Sequence, residues 1–298
     1  MKKIYASGGT LVFLGALFWS LNAPLVTFLT IDPMLICGLR SAIAAVVLSG
    51  FIRFKQLCWN GWMLMYMCSY ASLCLSIILA LTMTSAPVAI GMQYTATIWL
   101  FIVGVIKTRR FFIKSFIPVC IIFVGVIFFM CSSTNSTNST GNLTALSEGV
   151  FFACMTVSAK KAAGTNPLGL TAIANIFTAV LVFVLFPNSL GGAFTMTSLD
   201  WAIMIVMGVV QVAGGYAFYN LGVQKLDPKK ASIIALWEMI LGPIWVALFL
   251  KKYPSSLVII GFIIILTGMF LDAKLSSGSN QGKSAELHCT KQEEAEMW

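Results

Sequence analysis

Charge is scarce in this chain of 298 residues: Asp, Glu, Lys and Arg together make up 10% of it, against roughly a quarter in an ordinary soluble domain. That excludes most soluble folds. Histidine is nearly missing as well, its one copy being His288 in a polar tail, so no histidine-based catalytic or metal centre can form in the apolar part. The eight cysteines (37, 58, 68, 74, 120, 131, 154 and 289) make no C-x-x-C and no Cys/His metal spacing. All but Cys289 lie in or beside apolar runs and read as small apolar fillers. No G-x-x-x-x-G-K-[ST] occurs, which argues against ATP drive within this chain. With no clustered carboxylates either, too few groups remain for acid and base work inside a membrane. The protein is read as not an enzyme, and no cofactor is expected.

What is present is apolar: 59% of residues are hydrophobic and the mean hydropathy is +0.92. Runs of 18 or more apolar residues recur, each about long enough to cross a hydrocarbon core roughly 30 Å thick as a helix. Breaks at polar and proline-marked positions divide the chain into ten expected spans: 5–29, 33–52, 59–82, 86–106, 113–131, 144–163, 167–187, 199–224, 228–250 and 255–273. The fold class is therefore an all-α polytopic membrane protein. The opening "MKKIYASGGTLVFLGALFWSLNA" imitates a secretory signal, but with so many spans behind it we read it as an uncleaved first helix.

The net charge of +9 does not indicate a nucleic-acid partner, because the basic residues fall in short connections between apolar runs. With a cytoplasmic N-terminus, 16 Lys and Arg lie in inner connections or the tail and only Lys251 and Lys252 in outer ones, Arg40 being inside the second span. That asymmetry follows the positive-inside bias and places both termini in the cytoplasm. The outer connection "CSSTNSTNSTGNLT" carries N-x-S/T triplets at Asn135, Asn138 and Asn142. They are potential glycan acceptors in a eukaryotic secretory pathway, but we read the connection as a flexible polar linker. The tail is polar and mixed in charge, so disorder is expected there.

The chain also resembles itself. At an offset of 134, Gly15 falls on Gly149, Phe18 on Phe152 and Pro33 on Pro167; at 142 or 143, Ala89 falls on Ala231 and Gly125 on Gly268. Two five-span repeats result, 1–131 and 144–273, separated by an external linker at 132–143 and followed by the tail at 274–298. Five spans being odd, the second copy crosses in the opposite sense, giving an inverted 5+5 repeat.

Polar groups at membrane depth must face protein or water, so they map the interior. The fifth and tenth spans are apolar all round and are expected at the periphery, against lipid or a second copy in a homodimer. The other eight carry polar groups around a central cavity. Asn22, Arg40, Gln93, Tyr94, Thr97, Gln211, Tyr216, Trp237, Glu238 and Trp245 are the candidate substrate-binding residues. Arg40 admits two readings: snorkelling outward, or binding an anion or carboxylate. Glu148, a few residues inside its expected outer boundary, is expected to be hydrated.

The stretch "IIALWEMILGPIWVALFL" holds Glu238 near the midplane, nine residues beyond Lys229 and thirteen before Lys251. Glu238, Gly242 and Trp245 share one helical face, and Pro243 cannot donate to the Met239 carbonyl, which implies a local kink. A carboxyl exchanging between dry and hydrated surroundings can take up and release a proton, so Glu238 is also the candidate for proton coupling. A fixed pair with Arg40 is the alternative.

Two segments carry a family resemblance. Gln93, Tyr94, Thr95 and Ala96 are similar to a recurrent Q-Y-T-A-P, and Glu238 through Trp245 resembles E-P-V-L-A-P-L-W. Both patterns are those of EamA-type members of the drug/metabolite transporter superfamily, ten-helix inverted repeats. The family prolines are replaced by Thr97 and Met239 here. The resemblance implies a secondary transporter, commonly an exporter of small polar metabolites such as amino acids, working by alternating access in the plasma (inner) membrane of a prokaryotic cell. The competing readings are a non-transporting scaffold or receptor and, more remotely, an intramembrane enzyme.

Overall fold

The computed structural model describes residues 7–272 apart from 58, 110, 112, 133–135, 163–165, 224, 226–227 and 252, and also 274 and 275. The polar tail, with His288 and Cys289, and the triplet position Asn135 lie outside the described residues. Among those described there is no strand. The main helical segments are α1 Gly8–Phe28, α2 Pro33–Ser49, α3 Gly61–Met83, α4 Ala86–Lys107, α5 Ile113–Cys131, α6 Ser136–Ala162, α7 Pro167–Leu185, α8 Ser198–Gly222, α9 Pro228–Leu250 and α10 Ser256–Asp272. By length and composition α1, α3, α4, α7 and α8 can each cross a membrane, and shorter apolar helices lie within or make up α2, α5, α9 and α10.

Local chemistry sets where these helices begin and end. Pro33 and Pro167, which the repeat superposes, both open a helix. Proline suits the first turn because its missing N–H has no intrahelical partner there. Ahead of them, the Asp32 and Asn166 side chains accept the N–H of Met34 at 2.6 Å and of Gly169 at 2.9 Å, capping otherwise orphaned donors. At the other end, α4 and α9 stop at Arg109 (φ 51°) and Lys251 (φ 53°), 142 positions apart. Each left-handed residue turns its N–H back to a carbonyl, of Val105 at 2.8 Å and of Ala247 at 3.1 Å, the single-bond form of a helix stop.

Three helices are irregular at mid-depth. In α1 the break at Leu21 falls where Pro24 cannot donate to, and crowds, the Ser20 carbonyl. In α4 the break at Tyr94 and Thr95 occurs without the family proline. The Thr95 hydroxyl takes the Met92 carbonyl at 2.7 Å, and Tyr94 and Thr97 donate to residues three back, so side-chain competition tightens the turn in proline's place. In α8, Met207–Gly214 is a π-helix, a widened turn of a kind found at functional sites. Pro243, by contrast, lies inside a helix assigned without interruption.

One boundary departs from expectation. The polar run read as an external linker is helical from Ser136 onward, extending the sixth span eight residues before 144. The Asn142 side chain is buried, accepting from the Thr84 hydroxyl at 2.6 Å and donating to the Phe129 carbonyl at 3.1 Å. Tertiary bonds therefore hold what composition alone reads as linker, and they occupy the amide a glycan would need.

The principal packing pairs are α3 on α6, α1 on α8, α2 on α7, α1 on α9, α4 on α6, α2 on α8 and α3 on α7. Replacing each helix by the one five places along converts this set largely into itself. α5 and α10 meet at the periphery, where a Cβ on Gly125 would strike the Gly261 carbonyl and one on Gly268 would strike Ile122. Small residues thus permit close backbone approach. Outward, Phe123, Ile127, Ile263 and Phe270 stand exposed, the lipid-ready faces expected of both spans.

Candidate functional site

The irregular turns of α1, α4 and α8 surround one chamber of about 40 Å³, room for only a few waters. Asn22 of α1, Arg40 of α2, Gln93 of α4, Gln211 and Tyr216 of α8 and Glu238 of α9 all line it. Six of the expected binding residues, scattered over more than two hundred positions, therefore share one space. A wider cavity of about 350 Å³ is lined by Thr27, Ser85, Pro87, Pro243 and Tyr253 among others, residues near the ends of α1, α4 and α9.

Arg40 is 2% exposed, so it does not snorkel to a surface. Its two terminal nitrogens donate to Asn22 Oδ1 at 2.9 Å and the Cys74 carbonyl at 3.2 Å, while Nε has no partner. No ion pair joins it to Glu238. Instead Glu238 Oε2 accepts from the Tyr94 hydroxyl at 3.2 Å, which also reaches the Ala235 carbonyl at 3.3 Å. Tyr94 therefore supports Glu238 from outside the chamber. The two opposite charges face the same space, each held by neutral groups, and keep polar capacity for something between them.

Neighbouring groups add to that capacity. The Trp19 indole N–H and Gln211 Oε1 are buried without a partner, one donor and one acceptor. Trp19 meets Tyr216 edge-on at 4.8 Å and Tyr219 at a tilt at 4.7 Å, and Tyr70 lies 5.2 Å from Tyr216. Tyr70 is tied to Asn175 Oδ1 at 3.2 Å, and Asn220 donates to Thr171 at 3.0 Å. These bonds cross-link α3, α7 and α8 and stiffen the chamber wall.

Besides Tyr94, three expected residues sit outside the chamber lining. Trp237 is 45% exposed and meets Phe13 edge-on at 5.8 Å; successive helical residues point about 100° apart, so turning Glu238 inward turns Trp237 outward. Trp245 donates to Ser20 Oγ at 3.0 Å beside the chamber rather than in it. It shares its helix face with Glu238 and with Gly242, which Ile90 overlies. Thr97 is half-buried beyond the α4 break and does not line the chamber. Conversely, Trp19, Cys74 and Phe152 line it without having been singled out as binding residues, as does Tyr70, a polar residue of the third span. Trp19 could have been found from its position one turn before Asn22.

Glu148 corrects the expectation most. It is completely buried, and neither carboxyl oxygen has a partner, because α6 starts earlier than its composition suggests. Hydration at an outer boundary is therefore not its environment. Among the described residues no group of three or more His, Cys, Asp or Glu could hold a metal ion.

Comparison with known proteins agrees with this architecture. Residues 139–272 match the model of the EamA-like transporter family, which belongs to the drug/metabolite transporter superfamily. A solved structure described only as "Crystal structure of protein" superposes with a TM-score of 0.63 at 15% identity, covering 90% of this chain and 97% of that one, so the fold is shared. No curated protein matches the chain.

Proposed function

We propose that this integral membrane protein, whose residues 139–272 match the EamA-like transporter family, is a secondary active transporter exporting small zwitterionic metabolites such as amino acids. The observation that carries the reading is the juxtaposition of Arg40 and Glu238. One cation from the first half and one carboxyl from the second line the same chamber, held by neutral side chains and not by each other. A substrate bearing both charges complements that pair in a conformation wider than this nearly closed chamber: its carboxylate meets Arg40 Nε and the Trp19 N–H, its ammonium Glu238 and Gln211 Oε1. Neither purely anionic nor purely cationic solutes use both.

Alternating access is supported by the three irregular turns that border the chamber, since breaks at membrane depth are tolerated where they line a cavity and let half-helices move. An inverted 5+5 repeat is supported by the exchange of packing pairs, by Pro33 and Pro167 opening helices and by Arg109 and Lys251 closing them. A cytoplasmic location of both termini is supported by the charge count; in that orientation the wider cavity near Tyr253 lies toward the outer side and favours release outward. We place the protein in the inner membrane of a prokaryotic cell.

The test is efflux from vesicles reconstituted with the purified chain and loaded with isotope-labelled amino acids. Efflux of at least one above protein-free vesicles is expected. Retention of the whole panel, with or without an inward proton gradient, overturns the assignment.

A further inference from the structure

The chamber leaves one buried carboxyl unused. Glu148 stands midway along α6, 12 residues from Ser136 and 14 from Ala162, and so about 20 Å from either end of the helix. It is 0% exposed, its two oxygens have no hydrogen-bond partner, and it is not part of the chamber lining. A solute cannot reach it in this conformation; a proton can occupy it. An ionised carboxylate there would have no donor and no counter-charge, which makes the neutral acid the form this packing accepts.

The surroundings connect it to the chamber. Gly149, its neighbour, abuts Thr95 at the break in α4. Phe152, one turn further on the same face, meets the Tyr94 ring at 6.5 Å, and the Tyr94 hydroxyl donates to Glu238. The α4 break thus lies between two carboxyls, Glu148 beside Gly149 on α6 and Glu238 on α9. Of the other helices packed on α6, α3 turns Tyr70 and Cys74 toward the chamber that Phe152 also lines, and the cysteines of α5, Cys120 and Cys131, are exposed. None of these groups is a cation.

We propose, resting on the transporter reading above, that Glu148 is the site that exchanges a proton for substrate. While α6 is closed against the α4 break, Glu148 holds its proton. When the break opens to water, the O–H bond breaks and the proton passes to a water molecule, leaving the carboxylate hydrated. The Glu238 carboxylate across α4 opposes that ionisation until a substrate ammonium neutralises it. Substrate binding and Glu148 protonation therefore exclude one another, and by reciprocity of linkage each drives the other off. Proton entry then drives substrate exit.

Efflux of the labelled amino acids from vesicles of the full chain, with and without an inward proton gradient, compares wild type with Glu148→Gln. The gradient is expected to accelerate efflux in wild type and to have no effect in the Gln variant. A full gradient response in Glu148→Gln overturns the role of Glu148 while leaving the transporter reading standing; absence of any efflux in wild type overturns that reading instead. Two further measurements guard against misfolding. Glu148→Leu removes an unpartnered buried carboxyl, so its Tm is expected to rise as its gradient response disappears, and a lowered Tm would mark a structural carboxyl and refute the proposal. In infrared spectra at neutral pH, the protonated-carboxyl carbonyl band of wild type is expected to be missing from Glu148→Gln. A band left intact by the substitution also refutes it.

Discussion

Replacing Arg40 by Leu should separate stability from function, because stability is expected to change little and binding a great deal. The guanidinium is 2% exposed and paired with no carboxylate; it is held only by Asn22 Oδ1 and the Cys74 carbonyl. Removing it strips those acceptors of a donor, at about 1 kcal/mol each. Against that, substituting buried ionic groups by apolar ones of similar size stabilises by roughly 1–4 kcal/mol. The net runs from about 1 kcal/mol against the variant to about 2 kcal/mol in its favour, which for a chain of this size shifts the Tm by a few degrees in either direction, at roughly 2–4 °C per kcal/mol. Binding moves much further. A substrate carboxylate loses a charge-assisted bond worth about 1.5–3 kcal/mol, or roughly a 10- to 150-fold rise in Kd. Thermal unfolding in detergent and equilibrium binding of whichever amino acid the vesicle panel identifies read the two effects on one preparation. A Tm lowered by about 10 °C with Kd unchanged would show that Arg40 is a structural residue and refute the reasoning.

Other substitutions bear on separate parts of the account. Tyr94→Phe removes the hydroxyl behind Glu238 and should cost about 0.6 kcal/mol, at most about 1.7, the range for single bonds in membrane interiors; titration of the variant is expected to show about a threefold rise in Kd and no more than about 20-fold. Trp237→Ala, at an exposed position beside Phe13, should leave Kd untouched where Gln211→Ala raises it. Gly125→Leu should prise α5 from α10 and destabilise by about 1–3 kcal/mol, the ordinary cost of overpacking, seen as a lower Tm. In a background free of native cysteines, an impermeant thiol reagent added outside should label Cys at position 253 and spare Cys at position 111. The reverse pattern would invert the orientation argued from charge.

The helices were legible because each is an apolar run bounded by proline, by capping Asp or Asn, or by a basic stop. The proposed repeat rests on a few glycines and prolines, of which Pro33 and Pro167 each open a helix and Gly125 and Gly268 each lie at a close helix contact. Gln93, Gln211 and Glu238 could be assigned to one interior because isolated polar side chains at depth have nowhere else to go. What failed did so for definite physical reasons. The run from Ser136 to Leu143 looks like a linker in composition but is helical, tied down by the bonds of Asn142 to Thr84 and Phe129; reading it as linker put Glu148 at the edge of a helix whose middle it occupies. Adjacent helical positions face different ways, so Trp237 and Glu238 could not both turn inward. Depth along one helix did not settle Arg40, whose partners come from α1 and α3. The π-helical turn that surrounds Gln211 left no distinguishing mark in the sequence.

The central claim, one chamber using Arg40 and Glu238 on the two charges of one solute, is tested most directly by competition. Proteoliposomes exporting the identified labelled amino acid would be challenged with the same compound unlabelled, with its decarboxylated amine and with its deaminated acid. The account predicts strong competition from the zwitterion and weak competition from either analogue, with Arg40→Leu abolishing the difference between zwitterion and amine. Equal competition by all three, or discrimination that survives Arg40→Leu, would contradict it.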